Sequence, residues 1–454
     1  MGLPCLVITG LGVAVGLLAA CSGSEPGAQP ATGASSGAGT GGSSAGTGGS
    51  SDGGRSTIGA AAGEDTAGPQ APGECGSTDR SNRFEGRPAA CVPSNECTAL
   101  KPSMAKYEPS GKAPDLPVGK LVDIGPKPGE LQSGAGNALT MTFDPQNTAI
   151  LYVGYERQIG GSPSNGLWKS TDGGSTWKLM GMSDPDPYDC RSNYLDLPVN
   201  IAVDPNDSRH IYVTEGVRGA GNGFWVTWDG GESWIRAYSE DLTALAVDPC
   251  DFCHVLVGSH GTSPVGILES KDGGYSFTRH EAPSGWEGGS YGVNFAYDPK
   301  SKQGDSNTWL VHNSKMRRTA DAGATWADVA DIGGIHGFTS TYFASDGTLY
   351  SGSGTGPIRS SDNGKTWMRS GDGLSPGGVT YGIIGDGSAL YAMVDNAPPP
   401  QPLMTSPEDD GQNWAPYGSG DLAAPRGMQQ PHFDAVSNIL YFVNNTSLMA
   451  VRVR

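Results

Sequence analysis

Basic residues are scarce in this sequence: 29 Lys and Arg stand against 47 Asp and Glu, giving a net charge of −18. Such a chain repels phosphate backbones and anionic headgroups, which excludes nucleic acid as a partner and leaves no electrostatic route onto a membrane surface. Long apolar runs are missing as well. The one near the start, Leu6 to Ala20, is too short to span a bilayer comfortably and suits the apolar core of a signal peptide. Amphipathic helical periodicity is absent from the body, which removes helical bundles and α/β folds from consideration. Cysteine is sparse, eight residues in 454, too few for a disulfide-built miniature fold.

The apolar run ends at Leu18-Ala19-Ala20-Cys21, which resembles a bacterial lipobox, with Cys21 as the lipidation site. It departs from that pattern in carrying no Lys or Arg ahead of the run. From Ser22 to Gly73 the chain is almost entirely Gly, Ser, Ala and Thr, with too few apolar side chains to offset the entropy of ordering them. The expectation is a signal peptide over 1–20, a disordered tether over 21–73 and a Cys-containing extension over 74–117. The folded body follows, over 118–454. Localisation follows from this: exported and lipid-anchored to a bacterial membrane, at the cell surface or in the periplasm, as a monomer touching the membrane only through its anchor. Beyond Cys5 and Cys21 six cysteines remain, Cys75, Cys91, Cys97, Cys190, Cys250 and Cys253, an even number that reads as disulfides of undetermined pairing.

Within the body one pattern recurs. It stands as Ser170-Thr-Asp172-Gly-Gly-Ser-Thr-Trp177, Thr227-Trp-Asp229-Gly-Gly-Glu-Ser-Trp234 and Ser270-Lys-Asp272-Gly-Gly-Tyr-Ser-Phe277. Further copies are Thr319-Ala-Asp321-Ala-Gly-Ala-Thr-Trp326, Ser360-Ser-Asp362-Asn-Gly-Lys-Thr-Trp367 and a worn Asp409-Asp-Gly411-Gln-Asn-Trp414. The terminal aromatics are 57, 43, 49, 41 and 47 residues apart, matching a four-stranded propeller blade of about 45 residues. In each box the Asp beside Gly predicts a tight turn whose carboxylate accepts backbone N–H groups, and the aromatic opens the next strand. A second motif, an apolar strand after an Asp-led turn, has seven copies: Leu151-Tyr-Val-Gly, Ile211-Tyr-Val-Thr, Val255-Leu-Val-Gly, Trp309-Leu-Val-His, Leu349-Tyr-Ser-Gly, Leu390-Tyr-Ala-Met and Leu440-Tyr-Phe-Val. The last unit lacks an outer strand, and Lys120-Leu-Val-Asp-Ile124 is a strand without a blade. The reading is an all-β single propeller of seven four-stranded blades closed by that N-terminal strand, with six blades as the alternative.

The box resembles the Asp-box (BNR) repeat of sialidases, family-74 xyloglucanases, sortilin-type receptors and photosystem II assembly factors, over roughly residues 118–454. That resemblance implies fold and says little about activity. The Arg-Ile-Pro string of sialidases is missing; Gly356-Pro-Ile-Arg359 is the nearest. Family-74 enzymes use a cleft between two propellers, and this chain has length for one. The Cys-rich module of sortilin-type receptors is absent too.

The resemblance also implies where chemistry sits: on the face away from the boxes, in the loop after each middle strand and in the connections between blades. Those segments carry Tyr155, Glu156, Arg157, Glu215, Arg218, His260, His312, Asp395 and His432, with Asp241, Trp286, Tyr291 and His336 in the connections. Carboxylates, aromatics and imidazoles together suit a sugar ligand, either a polysaccharide or an oligosaccharide. A glycoside hydrolase needs two carboxylates, about 5 Å apart for retention and further for inversion, and Glu156 with Glu215 is the first pair. A polysaccharide lyase would hold and neutralise the uronate with Arg and His and abstract a proton with Tyr or His, and His260, His312, Arg157 and Tyr155 could serve. Substrate contacts fall to Arg157, Arg218, Trp286, Tyr291, His336, Asp395 and His432. A binding module for polysaccharide or protein is the non-catalytic alternative. No cofactor is expected, although Asp184, Asp186 and Asp189 could offer oxygens to Ca²⁺.

Overall fold

The computed structural model describes residues 113–127, 131, 137–156, 166–180, 195, 197–216, 222–248, 251–260, 266–281, 292–298, 303–313, 315–333, 341–371, 378–395, 401–417, 423–424, 431–443 and 447–454, with the backbone alone at 297, 298, 303–305, 395, 401, 402, 423 and 424. A first short strand, Leu121–Asp123 (β1), precedes the blades. Blade one is Ala138–Asp144, Asn147–Tyr155, Gly166–Ser170 and Lys178–Met180 (β2 to β5). Blade two is Pro198–Val203, Ile211–Glu215, Gly223–Thr227 and Ile235–Tyr238 (β6 to β9). Blade three is Leu242–Asp248, Asp251–Ser259, Gly266–Ser270 and Thr278–Glu281 (β10 to β13). Blade four is Gly292–Asp298, Gln303–His312, Lys315–Thr319 and Ala327–Asp331 (β14 to β17). Blade five is Thr341–Phe343, Leu349–Ser351, Ile358–Ser360 and Met368–Arg369 (β18 to β21). Blade six is Val379–Gly385, Ala389–Asp395, Gln401–Pro407 and Ala415–Pro416 (β22 to β25), with Ala423–Ala424 (β26) added against β24. Blade seven is Pro431–Asp434, Ile439–Val443 and Leu448–Arg452 (β27 to β29), completed by β1.

Seven antiparallel sheets result, and the described residues contain no helix. The blade count is therefore seven. The clasp expected from Leu121-Val-Asp is present: Leu121 pairs with Val451, Val122 with Ala450 and Asp123 with Met449. The Ser447 hydroxyl donates to the Asp123 carboxylate, and the Trp177 indole N–H of blade one donates to the Ile124 carbonyl at 2.9 Å.

Each full box is one hydrogen-bonded clip. In blade one the Ser170 hydroxyl donates to Asp172 Oδ1 at 2.8 Å and accepts the Gly174 amide at 2.8 Å. The same Oδ1 accepts the Thr176 amide at 2.8 Å, and Oδ2 accepts the Thr176 hydroxyl at 2.7 Å. Asp229, Asp272, Asp321 and Asp362 repeat this arrangement. In the worn sixth copy Asp410 takes over, accepting the Asn413 amide at 3.2 Å. The turn imposes a left-handed backbone even where glycine is missing, as at Ala322 with φ 51° and Asn363 with φ 57°.

The boxes also join blades. A Cβ on Gly174 would lie 2.9 Å from the Ile124 carbonyl, and one on Gly274 would lie 2.6 Å from the Phe224 ring of the preceding blade. Trp414 of blade six donates its indole N–H to the Ser370 carbonyl of blade five at 2.9 Å. The core accordingly lies between blades: Tyr212, Phe224 and Val226 of blade two pack with Leu245, Val255 and Val257 of blade three. Middle strands are covered on both faces, which is why they read as continuous apolar runs rather than alternating ones.

These clips make stability depend on acid. Burial pushes the Asp362 carboxyl up, but the Thr366 hydroxyl, the Thr366 amide and Ser360 outweigh it and hold it down at about 2. Asp321 is lowered chiefly by the Thr325 hydroxyl; at Asp172 burial opposes and the Thr176 bonds prevail. A depressed carboxylate contributes stability that is complete above its unfolded value of about 3.9 and is lost as pH falls through the folded value. The far-ultraviolet circular dichroism of the ring is thus expected to hold at pH 5 and to fail between about pH 4 and 2, with a shallower acid slope in Asp362→Asn. An acid slope identical to that of the native chain would contradict this account.

Candidate functional site

Strand register defines the two ends of the ring. The boxes and the Asp-led turns share one end, because Asp144 pairs with Asn147 and Leu151 with Ser170. At the other end Ala138, Tyr155 and Gly166 lie side by side.

Four residues beyond the one paired with the box hydroxyl, each middle strand reaches that second end. The position is Tyr155, Glu215, Ser259, Asn313 and Ser353 in blades one to five. All five are buried. The box end thus repeats one Asp in one geometry, while the opposite end sets four residue types in one backbone position. Repetition serves the scaffold, and departure from it marks where specific chemistry can be placed.

Three consecutive blades share a further device. Their innermost strands carry a register shift at the box-free end, between Ala138 and Thr140, between Pro198 and Asn200, and between Leu242 and Ala244. Bulges of this kind re-aim side chains and concentrate at sheet ends beside binding sites. Each ties the residue before its strand to the end of the middle strand. In blade one the Glu156 amide donates to the Asn137 carbonyl at 2.8 Å and the Asn137 amide group donates to Glu156 Oε2 at 2.8 Å. In blade two the Leu197 amide donates to Glu215 Oε1 at 3.2 Å, and the Asn200 amide group donates to the Thr214 hydroxyl. In blade three the His260 amide donates to the Asp241 carbonyl at 3.0 Å, and His260 Nδ1 lies 3.0 Å from Asp241 Oδ2.

Blades two and three meet here through Gly216. A Cβ at that position would lie 2.6 Å from Asp241 Oδ1 and 2.5 Å from the Leu242 carbonyl oxygen. Gly216→Ala is expected to displace Asp241 and to cost about 1–3 kcal/mol, the usual range for overpacking against fixed atoms. Urea unfolding measures it, and an unchanged midpoint would show that the junction gives way freely.

The remaining expected site residues fall as follows. Glu156 is half-buried, and Tyr155 and Glu215 are fully buried. Burial drives the Tyr155 hydroxyl well above its ordinary pKa. His312 lies 3.5 Å from both the Asn294 amide group and the Thr341 hydroxyl, and burial pushes its imidazole down to about 4. His432, on β27, is pushed down to about 4 by the same cause. Both rings are neutral at neutral pH. Asp395 ends β23, with its side chain outside the described atoms. Arg157, Arg218, Trp286, Tyr291, His336 and Cys21 lie outside the described residues, as do Asp184, Asp186 and Asp189. Among the described residues no group of three or more His, Cys, Asp or Glu could hold a metal ion. No described helix is long and apolar enough to cross a membrane.

Sequence reading brought forward Glu156, Glu215, Asp241 and His260 but not their partnerships, nor Asn137 and Gly216. A signal did exist. Asn137 to Glu156 and Asp241 to His260 are both 19 residues apart, the length of one inner and one middle strand with their turn.

No family model and no curated protein matches the sequence. Solved structures do match. A GH74 xyloglucanase from Xanthomonas campestris aligns with a TM-score of 0.53 at 18% identity, covering 74% of this chain and 54% of that one. An ancestral GH74 enzyme aligns with a TM-score of 0.51 at 16% identity, covering 70% and 45%. YCF48 from Cyanidioschyzon merolae aligns with a TM-score of 0.50 at 12% identity, covering 73% and 98%. The chain spans about half the length of the two GH74 enzymes and nearly all of YCF48. At these identities the likeness is one of fold: a seven-bladed propeller of the kind found in GH74 enzymes.

Proposed function

We propose that this chain is a carbohydrate-active propeller, held through Cys21 and its tether at a bacterial membrane, that hydrolyses an uncharged polysaccharide at the box-free end of the ring. The observation that carries the reading is that three of the four bulged blade mouths, those of blades one to three, pair polar groups at one end of the ring: Asn137 with Glu156, Leu197 with Glu215, and Asp241 with His260. Carboxylates positioned by hydrogen bonds are what sugar hydroxyls and a glycosidic oxygen require. An uncharged substrate follows from the same groups, because Glu156, Glu215 and Asp241 on a chain of net charge −18 would repel a polyuronate. The fold likeness to GH74 enzymes agrees with this reading without carrying it.

A second reading has its own support. The chain matches YCF48 over nearly the whole of that protein's length, whereas it spans about half of the GH74 enzyme. A ring that binds a polysaccharide or a protein without turning it over is the alternative that this likeness supports.

The test is a panel of neutral and acidic polysaccharides incubated with the full-length chain, followed by reducing ends and by ultraviolet absorbance of unsaturated products. New reducing ends from neutral glycans support hydrolysis, and Glu156→Gln is then expected to abolish them. Unsaturated products from uronates would replace hydrolysis with elimination. Retardation on an affinity gel without any product would leave a binding module.

A further inference from the structure

We propose that the seam between blades three and four is an alkali-sensitive latch, closed while His254 is an imidazolium bridging Asp248 and Glu269 and loosened when it gives up its proton. The inference concerns the propeller itself and holds whatever ligand the box-free end takes.

A departure from the repeat marks the place. In blades one, four and five the residue just before the box is a cation that reaches the box turn of the following blade. Lys169 Nζ donates to the Gly230 carbonyl at 3.1 Å, Arg318 Nε to the Asn363 carbonyl at 3.1 Å and Arg359 Nη1 to the Asp410 carbonyl at 2.7 Å. In blade three that position holds Glu269, whose carboxylate can only accept. Its oxygens meet imidazoles of its own blade instead: Oε1 lies 2.8 Å from His254 Nε2, and Oε2 lies 3.0 Å from His280 Nε2. Lys271 Nζ stands 3.2 Å from Oε1.

His254 is bonded on its other side too. Its Nδ1 lies 3.2 Å from Asp248 Oδ2, the atom that accepts the Ser306 hydroxyl of blade four at 2.6 Å. An imidazole held between two ionised carboxylates must donate from both nitrogens, and only the cation does so. Asp248, His254 and Glu269 are all buried, where anions are tolerated only beside a compensating charge. Burial pushes the His254 imidazole down, but Asp248 and Glu269 outweigh it and hold it above its ordinary value. Burial likewise pushes the Glu269 carboxyl up, and His254, His280 and Lys271 hold it well below the usual carboxylate range.

The charged and titratable groups around His254 are Asp248 on β10, Asp251 on β11, Glu269 on β12, Lys271 after it and His280 on β13. Blade four meets them with uncharged surface. Phe295 lies edge-on to His254 with centroids 4.7 Å apart, and Trp309 does the same to His280 at 5.0 Å. Once His254 is neutral, Asp248 and Glu269 face each other across it against these apolar rings, and water entering the seam relieves them. A group with a raised folded pKa contributes stability that is complete below its unfolded value, about 6.5 for histidine, and is lost as pH rises through the folded value. The latch therefore works in the opposite sense to the boxes, which fail in acid.

The test follows hydrogen exchange of the full-length chain at pH 6 and pH 9, with protection corrected for the intrinsic base-catalysed rate. Amides of β12 and β14 are expected to lose about tenfold in protection for each unit by which folding raises the His254 pKa. Those of β19 and β20 in blade five, whose seams are joined through Arg318 and Arg359, should hold. His254→Gln should weaken protection of β12 and β14 at pH 6 and remove most of its dependence on pH, which lost packing alone would not do. The His254 Cε1 proton, identified by its absence from the variant's spectrum, should titrate above about 6.5. Should His254→Gln not fold, Glu269→Gln replaces it and is expected to bring that titration down. The latch is overturned if the native seam keeps its protection at pH 9, if blades three and five loosen alike, or if the imidazole titrates below its ordinary value. The native profiles decide this even without a folded variant.

Discussion

Removal of residues 1–126 is expected to lower the unfolding free energy by roughly 3–6 kcal/mol and to turn the protein into a self-associating species. The magnitude follows from two buried side chains, Leu116 and Ile124, each contributing about 1.5–3 kcal/mol on burial. The deletion also removes the ladder between β1 and β29, the bond from Ser447 to Asp123 and the carbonyl that accepts the Trp177 indole. It leaves β29 as an unpaired edge, the feature that closed sheets exist to avoid and that invites pairing between copies. Urea unfolding and size-exclusion chromatography read both effects. A truncated chain that stayed monomeric with the native midpoint would show that the clasp is dispensable, and the reading of blade seven as a joint product of both chain ends would fall.

Trp309→Ala is expected to cost about 3–5 kcal/mol, the range for truncating a large buried aromatic. Trp309 has no exposed surface and lies where blades three and four meet. Its indole N–H donates to the Ser306 carbonyl at 2.8 Å, while the Ser306 hydroxyl reaches back to Asp248 of blade three at 2.6 Å. Its ring meets His280 edge-on with centroids 5.0 Å apart. Truncation opens a cavity on the seam between blades and loosens a charged network, since His280 and His254 share the Glu269 carboxylate. The urea midpoint should fall with the slope unchanged, because the surface exposed on unfolding stays nearly the same. A loss below about 1 kcal/mol would mean that the seam collapses to fill the space.

Much of this architecture was written in local chemistry. An Asp followed by a left-handed turn and an aromatic specifies its hairpin within eight residues, so each box could be read without knowing its neighbours. The seven middle strands were legible for the same reason, and their count outweighed the six boxes because Leu440-Tyr-Phe-Val needs only its own apolar side chains to be recognised. Blade seven was harder, since its two parts lie at opposite ends of the chain, and only the missing outer strand pointed to Leu121-Val-Asp. What sequence reading did not find depends on contacts between blades. The close approach of Gly174 to Ile124, the seat of Trp414 on Ser370 and the clearance of Gly216 for Asp241 are all contacts between residues of adjacent blades. Residue types at the box-free end were visible, but a bulge at Leu242 that brings Asp241 beside His260 leaves no mark in composition. β26 was unforeseen because Ala423-Ala424 has no strand signature; a neighbouring backbone edge makes it a strand.

The clasp has a consequence for the order of assembly. Ser447 and Asp123 are 324 residues apart, and closing a flexible loop of that length costs about 5 kcal/mol of chain entropy. Six blades can form from neighbouring segments as synthesis proceeds, each by hairpins of short reach. The seventh must wait until the final strand emerges. Until then blades one and six present open flanks, and the growing chain is at its most vulnerable just before β29 is made. A ring sealed between β1 and β29 therefore makes the arrival of β29 the last step of its closure, and loss of that one strand forfeits the seal that protects all the rest.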